Sequence, residues 1–127
     1  MEKLIKDMFK DVIESNHYDE TVIKKYFSEN YLQLVDNKSL DFSQFNKHMA
    51  KINEITSSIT VDLVSYASGA ESIFTKHIVS SNFSDGTHTR HKVFAEFKII
   101  DQKITYCDEL TFLIEGPQAA SDMGSIM

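Results

Sequence analysis

In the first part of the chain, apolar residues recur every three or four positions, which is typical of one face of an α-helix. This spacing predicts a helix over residues 2–14. Asp19 is a suitable N-cap for a second, shorter helix, and Asp41 followed by Gln44 matches the capping box of a third. Residues 30–36 lie between these two helices and have the β-branched and aromatic content of a short strand. This part of the sequence therefore predicts three helices and one strand.

Beyond the third helix, the apolar residues alternate with a period of two, as they do in β-strands. Four such runs are predicted, over residues 58–66, 71–84, 87–100 and 103–114. Asp85-Gly86, between the second and third runs, is typical of a hairpin turn. The apolar stripes of the helices and the more apolar side of the sheet must bury each other. The predicted fold class is α+β, with three N-terminal helices packed on a curved, mainly antiparallel sheet that leaves a cavity between them.

The last predicted strand contains a carboxylate in an apolar setting. Asp108 has the same parity as five apolar or aromatic residues of this strand, Ile104, Tyr106, Leu110, Phe112 and Ile114. Residues of one parity share one face of a strand, so Asp108 is expected to lie on an apolar face, where its carboxylate loses its hydration on folding. Such a group must be paired, wetted by a cavity or neutralised by a raised pKa. Asp108 is therefore the candidate general base, and Tyr106 is the candidate donor to an oxyanion.

Length and charge restrict the class of protein. The 127 residues fit one domain, which we predict over residues 1–115 with a C-terminal tail over 116–127 that is either mobile or docked onto a partner subunit. The net charge of −6 argues against a nucleic-acid partner. One cysteine, Cys107, excludes an internal disulfide and favours a reducing compartment. Because no targeting signal or membrane span is visible, we predict a cytoplasmic protein without a membrane partner.

The histidines offer further candidates for a pocket. His77 and His91 lie on the two strands that flank the predicted hairpin, whose register is expected to place His77 near Phe94 and His91 near Ser80. Either histidine is a pocket candidate, although the pattern favours a hydrogen-bonded or dimer-face histidine at His77 over a pocket residue. Tyr18, in the break after the first helix, is a candidate for the pocket mouth.

Neither a metal nor a cofactor is predicted. His88 and His91 are three residues apart on a strand, so they point to opposite faces and make a poor metal pair. The four glycines do not have the spacing of a phosphate-binding loop. The chemistry considered for Asp108 is proton transfer, which needs no cofactor.

The whole chain resembles the SnoaL-like polyketide cyclase branch of the nuclear transport factor 2-like (NTF2-like) superfamily, which also contains ketosteroid isomerases. The resemblance is carried by these segments: Tyr26-Phe-Ser-Glu-Asn-Tyr-Leu-Gln-Leu-Val, Leu40-Asp-Phe-Ser-Gln-Phe, the hairpin through Asp85-Gly86, Asp101-Gln-Lys-Ile-Thr-Tyr-Cys-Asp-Glu-Leu and Asp122-Met-Gly-Ser. It implies a cone of helices and sheet that is open at one end, and a homodimer formed through the outer sheet face. In the cyclases a carboxylate on the last strand removes a proton beside a carbonyl, and Asp108 resembles that residue.

Two functions remain open at this point. The first is a pocket for a small hydrophobic carbonyl compound, with Tyr106, His77, His91, Tyr18 and Phe112 as candidate lining residues and with isomerase- or cyclase-type proton transfer by Asp108. The second is a non-catalytic ligand-binding or dimerisation module of the same fold. An open apolar cavity with Asp108 at its wall favours the first, whereas an exposed Asp108 on the outer sheet face favours the second.

Overall fold

The fold comes from a computed structural model, described for residues 1–118, Met123 and Ile126. Within these residues, three α-helices and six strands follow one another along the chain. Their bounds are α1 (Glu2–Met8), which continues into a π-helical turn (Phe9–Ile13), α2 (Glu20–Tyr26), β1 (Phe27–Val35), β2 (Lys38–Asp41), α3 (Phe42–Ile55), β3 (Thr56–Ser68), β4 (Ser72–Phe83), β5 (His88–Ile100) and β6 (Lys103–Glu115). The predicted α+β class is confirmed.

The helix starts follow the sequence signals. The Asp19 carboxylate accepts a hydrogen bond from the backbone N–H of Thr21 at 2.9 Å and caps α2. At the start of α3, Asp41 accepts from the Gln44 backbone N–H, and the Gln44 side chain accepts in return from the Asp41 N–H. This reciprocal pair is the predicted capping box, which satisfies two of the N–H groups left unpaired at a helix start.

The six strands form one sheet in the order β2-β1-β6-β5-β4-β3. Only β1 and β6 pair in parallel, and the other neighbouring strands are antiparallel. Asp36, in the turn after β1, supports the parallel pair, because its carboxylate accepts a hydrogen bond from the Thr111 backbone N–H at 2.8 Å and another from the Thr111 hydroxyl. β6, which carries the candidate base, is therefore held in the middle of the sheet by β1 and β5.

The β4–β5 hairpin forms at Asp85-Gly86, as predicted, but its register differs by one residue. His77 pairs with Val93 and His91 pairs with Val79, rather than with Phe94 and Ser80. A shift of one residue exchanges the two faces of a strand relative to its neighbour. In the observed register His77 and His91 are both buried on the inner face of the sheet, the face that packs against the helices.

The predicted face of Asp108 is wrong, and a β-bulge explains why. Ile99 pairs with Ile104 and Lys98 pairs with Tyr106, so Thr105 is an extra residue on β6. The bulge reverses the alternation: Ile104 faces the core before it, and Cys107 faces the core after it. Asp108 is consequently exposed on the outer face of the sheet, the face turned away from the helices.

The core lies between the helices and the inner face of the sheet. Two residues of the predicted tail belong to it: Met123 is buried and packs with Ile52 and Ile59, and Ile126 packs against the same cluster. These two residues therefore contact their own chain, and the rest of the Asp122-Met-Gly-Ser motif lies outside the described residues. No helix within the described part of the chain is long and apolar enough to cross a membrane.

Candidate ligand-binding cavity

A cavity of about 140 Å³ lies between the helices and the inner face of the sheet. Most of its wall is apolar, with aromatic side chains from the helices and from two strands, β1 and β5: Phe9, Phe27, Tyr31, Phe45 and Phe97. The polar lining residues are few, namely Gln33, His48, His77, His91, Glu109 and Thr111. An apolar cavity with a few polar groups at fixed positions is typical of a site for a small organic ligand.

Glu109 supplies the carboxylate of this wall. It follows Asp108 on β6, and because of the bulge at Thr105 its side chain faces the cavity instead of solvent. The residue keeps part of its surface exposed, but its carboxyl group has lost most of its hydration. Desolvation, together with the nearby charges of Asp36 and Asp108, raises the pKa of Glu109 to about 8. At neutral pH the carboxyl group is therefore mostly protonated and neutral.

A short chain of hydrogen bonds orients Glu109. The Gln33 amide donates from Nε2 to Oε1 of Glu109 at 3.1 Å, and the Tyr31 hydroxyl donates to Oε1 of Gln33 at 2.7 Å. Tyr31 and Gln33 are buried and are two residues apart on β1, the strand that pairs with β6. Because Gln33 engages one carboxyl oxygen, the other oxygen of Glu109 is the better placed to interact with a ligand.

Neutral imidazoles form another part of the wall. Burial lowers the pKa of His77 to about 4, and the hydroxyl of Thr75 lies 3.0 Å from its Nδ1. The ring of Phe9, in the π-helical turn, lies 4.8 Å from the His77 ring. Burial also lowers the pKa of His48, on α3. A neutral imidazole can donate or accept a hydrogen bond without bringing a charge into the cavity.

Cys107 also lines the cavity but is not a nucleophile. Its thiol is buried, and burial, with the nearby charge of Glu109, raises the pKa of Cys107 well above its usual value. The thiolate is the reactive form, so a thiol held protonated is unreactive. Cys107 therefore contributes packing to the core.

The structure separates the residues predicted for the site. His77 and His91 line the cavity. Asp108, Tyr106 and Phe112 lie on the outer face of the sheet, where Phe112 is 69% exposed. Tyr18 lines a second, smaller hollow of about 20 Å³ whose wall also includes Asp11, His17, Asp19 and Asn53. The predicted placement of Asp108 at the cavity wall is thus corrected, and Glu109 occupies that wall.

Sequence reasoning missed Glu109, Gln33 and His48 as lining residues. A period of two that continues through the strand without a break places Asp108 on the inner face and Glu109 on the outer face. A signal was present in Thr105-Tyr106-Cys107, since the buried Ile104 and Cys107 are three residues apart and cannot share one face of a regular strand. Gln33 has the same parity as Tyr31 and Val35, so it is a polar residue on an otherwise apolar face of β1, which marks a position that needs a buried partner.

Within the described residues, no group of three or more His, Cys, Asp and Glu side chains has the arrangement of a metal site. The polar groups of the cavity are instead spread over four strands and one helix: Gln33 on β1, His48 on α3, His77 on β4, His91 on β5 and Glu109 on β6. Such an arrangement can contact several sides of one small molecule.

Comparison with known proteins gives the fold and one relative of unknown function. No family model matches the sequence. An uncharacterized protein of Schizosaccharomyces pombe is 26% identical over 125 residues, which are 98% of this chain and 95% of that protein. The likeness therefore extends over nearly the full length of both chains.

Three solved structures are similar in fold. AclR from Streptomyces galilaeus, described as a proposed hydroxylase, has a TM-score of 0.74 at 13% identity and covers 99% of this chain and 85% of its own. IdmH from Streptomyces antibioticus, a proposed polyketide cyclase, has a TM-score of 0.72 at 8% identity and covers 87% and 90%. An NTF2-like protein from Exiguobacterium has a TM-score of 0.69 at 14% identity and covers 84% and 96%. The NTF2-like fold predicted by the sequence resemblance is confirmed.

Proposed function

We propose that the cavity binds a small, mostly apolar carbonyl compound and that Glu109 exchanges a proton with it. The observation that carries this proposal is the Glu109 carboxyl group, which faces an apolar cavity with its pKa raised to about 8. A general base works best when its pKa lies near the working pH. Ordinary exposed glutamates have a pKa near ~4.3 and are much weaker bases at neutral pH.

The size of the cavity sets the size of the ligand. An engineered apolar cavity of about 150 Å³ in another protein binds benzene, and the cavity described above has a volume of about 140 Å³. A ligand portion of roughly one ring therefore fits beside Glu109. Because none of the described residues that line the cavity is a lysine or an arginine, a neutral ligand is favoured over an anionic one.

The proposed chemistry is isomerase- or cyclase-type proton transfer. The deprotonated Glu109 removes a proton from the carbon beside the carbonyl, and the electrons of that C–H bond move into the carbonyl group to form an enolate. The neutral imidazole of His77 donates a hydrogen bond to the enolate oxygen, the role that the sequence assigned to Tyr106. Glu109 then returns the proton to the same carbon or to another one, so the enzyme ends unchanged and needs no cofactor.

Ligand binding can be measured by thermal unfolding. We expect cyclohexanone to raise the Tm, because a ligand that binds only the folded state stabilises it, by ~2.7 kcal/mol at a concentration of 100 Kd. Val79→Phe fills part of the cavity and should abolish the shift. Val64→Phe is the matched control, since Val64 is 50% exposed on β3. An equal Tm shift in both variants, or none in the wild type, would contradict the proposal.

A second candidate function, a dimerisation module, is favoured by the outer face of the sheet. Phe94 and Leu110 pair across β5 and β6 and are 55% and 63% exposed, and Phe112 follows on the same face of β6. Contiguous exposed apolar side chains of this kind usually mark an interaction surface. We call Phe94, Leu110 and Phe112 the outer apolar patch.

Charges around the outer apolar patch suit a second copy of the chain. Lys76 pairs with Phe94 across β4 and β5, and Lys92 lies two residues before Phe94 on β5. Glu96 lies two residues after Phe94 and pairs with Asp108 across β5 and β6. Like charges directly opposite each other destabilise a sheet. In a two-fold interface the lysines of each copy can face the acids of the other.

Sedimentation tests this assembly. We expect the wild-type protein to sediment as a dimer at micromolar concentration and Phe112→Asp to sediment as a monomer, because the substitution places a charge within the apolar patch. Val64→Asp, at another exposed apolar position, is the control and should leave the dimer intact. A wild-type monomer would contradict the proposed dimer.

A further inference from the structure

Ser81 is buried without a partner for its hydroxyl. It lies on β4 and is 0% exposed. Its Oγ makes no hydrogen bond within the described part of the chain. A buried hydroxyl in this state destabilises the fold, since the group has lost its hydrogen bonds to water and gained none. Most buried polar groups have hydrogen-bond partners, so the unpaired hydroxyl of Ser81 needs an explanation.

The hydroxyl of the neighbouring Thr89 has a weak hydrogen-bond partner. Thr89 pairs with Ser81 across β4 and β5 and is also 0% exposed. Among the described residues, its Oγ1 donates only to the Sδ of Met123, at 3.9 Å. Thioether sulfur is a weak acceptor. Two adjacent inner-face hydroxyls therefore lack a strong hydrogen-bond partner.

Met123 lies between these hydroxyls and the cavity. Its side chain is 9% exposed, lines the cavity and packs with Ile59. Ile59 is the neighbour of Ser81 on β3, as Thr89 is on β5, so Met123 covers both sides of the position of Ser81. His91 and Val79, which line the cavity, are the next inner-face residues along β5 and β4. Ser81 and Thr89 do not line the cavity themselves, and they lie one inner-face position beyond Val79 and His91 along these two strands.

We infer that Ser81 and Thr89 form a distal subsite of the cavity, that the Met123 side chain occupies it in this structure, and that a ligand oxygen can take its place. The inference deepens the proposed function and rests on it, because the carbonyl end of the same ligand lies at Glu109. Ala95, the partner of Glu109, lies six positions along β5 from Thr89. At ~3.3 Å per residue this is about 20 Å. The ligand class is therefore a long, slender carbonyl compound with a hydroxyl or a second carbonyl at its far end.

Two probes with the same carbon chain test the subsite by calorimetric titration: dodecan-2-one and 12-hydroxydodecan-2-one. Met123→Ala opens the distal space, and in this variant we expect the hydroxyketone to bind about ten-fold more tightly than the plain ketone. Adding Ser81→Ala and Thr89→Val, which remove the hydroxyls and keep the shapes, should close that gap. Equal affinities in Met123→Ala, or a gap that survives removal of both hydroxyls, would overturn the inference.

A second measurement needs no ligand. Ser81→Ala alone should raise the Tm of the wild-type protein by a few degrees, because it removes the unpaired buried hydroxyl. Ser80→Ala, on the opposite face of β4, is the control and should leave the Tm unchanged. A fall in Tm for Ser81→Ala would show that the hydroxyl has a structural partner and would overturn the subsite.

The outcomes separate this inference from the proposed function. If cyclohexanone binds the wild-type protein but the two long probes bind Met123→Ala equally, only the distal subsite is wrong. If cyclohexanone and both long probes all fail to bind, the proposed ligand class and the subsite are both wrong.

Discussion

Replacing Glu109 with glutamine is expected to slow the exchange of protons beside the carbonyl of a bound ketone by about 10²–10⁴-fold, the contribution of a well-placed general base. Glutamine keeps the shape of the side chain and can still accept a hydrogen bond from Gln33, but it cannot take a proton. The measurement is the incorporation of deuterium into cyclohexanone in D₂O, followed by proton NMR. In the wild-type protein the rate should rise with pH and level off above about 8, as Glu109 becomes deprotonated.

Asp108→Asn provides a closely matched control. It is the same chemical change at the preceding residue of the same strand, but on the exposed outer face. We expect the exchange rate of Asp108→Asn to stay close to that of the wild type, apart from a small change caused by the loss of a charge that raises the pKa of Glu109. If Asp108→Asn loses exchange and Glu109→Gln retains it, the assignment of the base to Glu109 is wrong.

Two buried groups should make stability depend on pH in opposite directions. The pKa of Glu109 rises from 4.5 to about 8 on folding, so the folded state holds a proton that the unfolded state has lost between these values. Its contribution to the free energy of unfolding is fully present below pH 4.5 and falls as the pH rises to 8, by on the order of 4 to 5 kcal/mol.

The pKa of His77 falls from 6.5 to about 4 on folding, so the unfolded state binds the extra proton in that range. The free energy of unfolding therefore rises with pH between 4 and 6.5, by on the order of 3 kcal/mol. Because the two ranges overlap, their effects largely cancel between pH 4.5 and 6.5. The net expectation from this pair is a plateau followed by a decline between pH 6.5 and 8.

Urea unfolding from pH 4 to 9 measures both contributions. Glu109→Gln should remove the decline and leave only the rise that His77 causes, and the variant should be more stable than the wild type above pH 8. His77→Asn should leave the decline and remove the rise. His17→Asn is an exposed control. A decline that is the same in the wild type and in Glu109→Gln would show that the Glu109 carboxyl is not held neutral by the fold.

The sequence predicted the elements well because their signals are local. The caps at Asp19 and Asp41 and the turn at Asp85-Gly86 depend on residues that are at most three positions apart, and each forms as predicted. The NTF2-like fold follows from the order of these elements. Such short-range patterns survive folding because the hydrogen bonds that define them lie within one turn of the chain.

The site was harder to predict because it depends on register. One extra residue at Thr105 decides whether Asp108 or Glu109 faces the cavity, and one residue of hairpin register decides whether His77 and His91 share a face. Pairing between strands is set by packing across the whole sheet, so an alternating pattern read along one strand does not reveal where the alternation changes. The histidines were nevertheless identified as candidates, since a pocket needs polar groups on buried strands.

The bulge at Thr105 also makes the two faces of β6 depend on each other. Along a strand, successive residues alternate between the inner and the outer face, and in β6 this alternation shifts by one residue after Ile104. Deleting the single residue Thr105 would restore a regular alternation in which Ile104, Cys107 and Glu109 still share the inner face. Straightening the bulge while keeping Thr105 would instead turn the rest of the strand over, with Asp108 and Phe112 inside and Glu109 outside. The acid at the cavity wall and the side chains of the outer apolar patch therefore change places together whenever the alternation along this strand shifts by one residue.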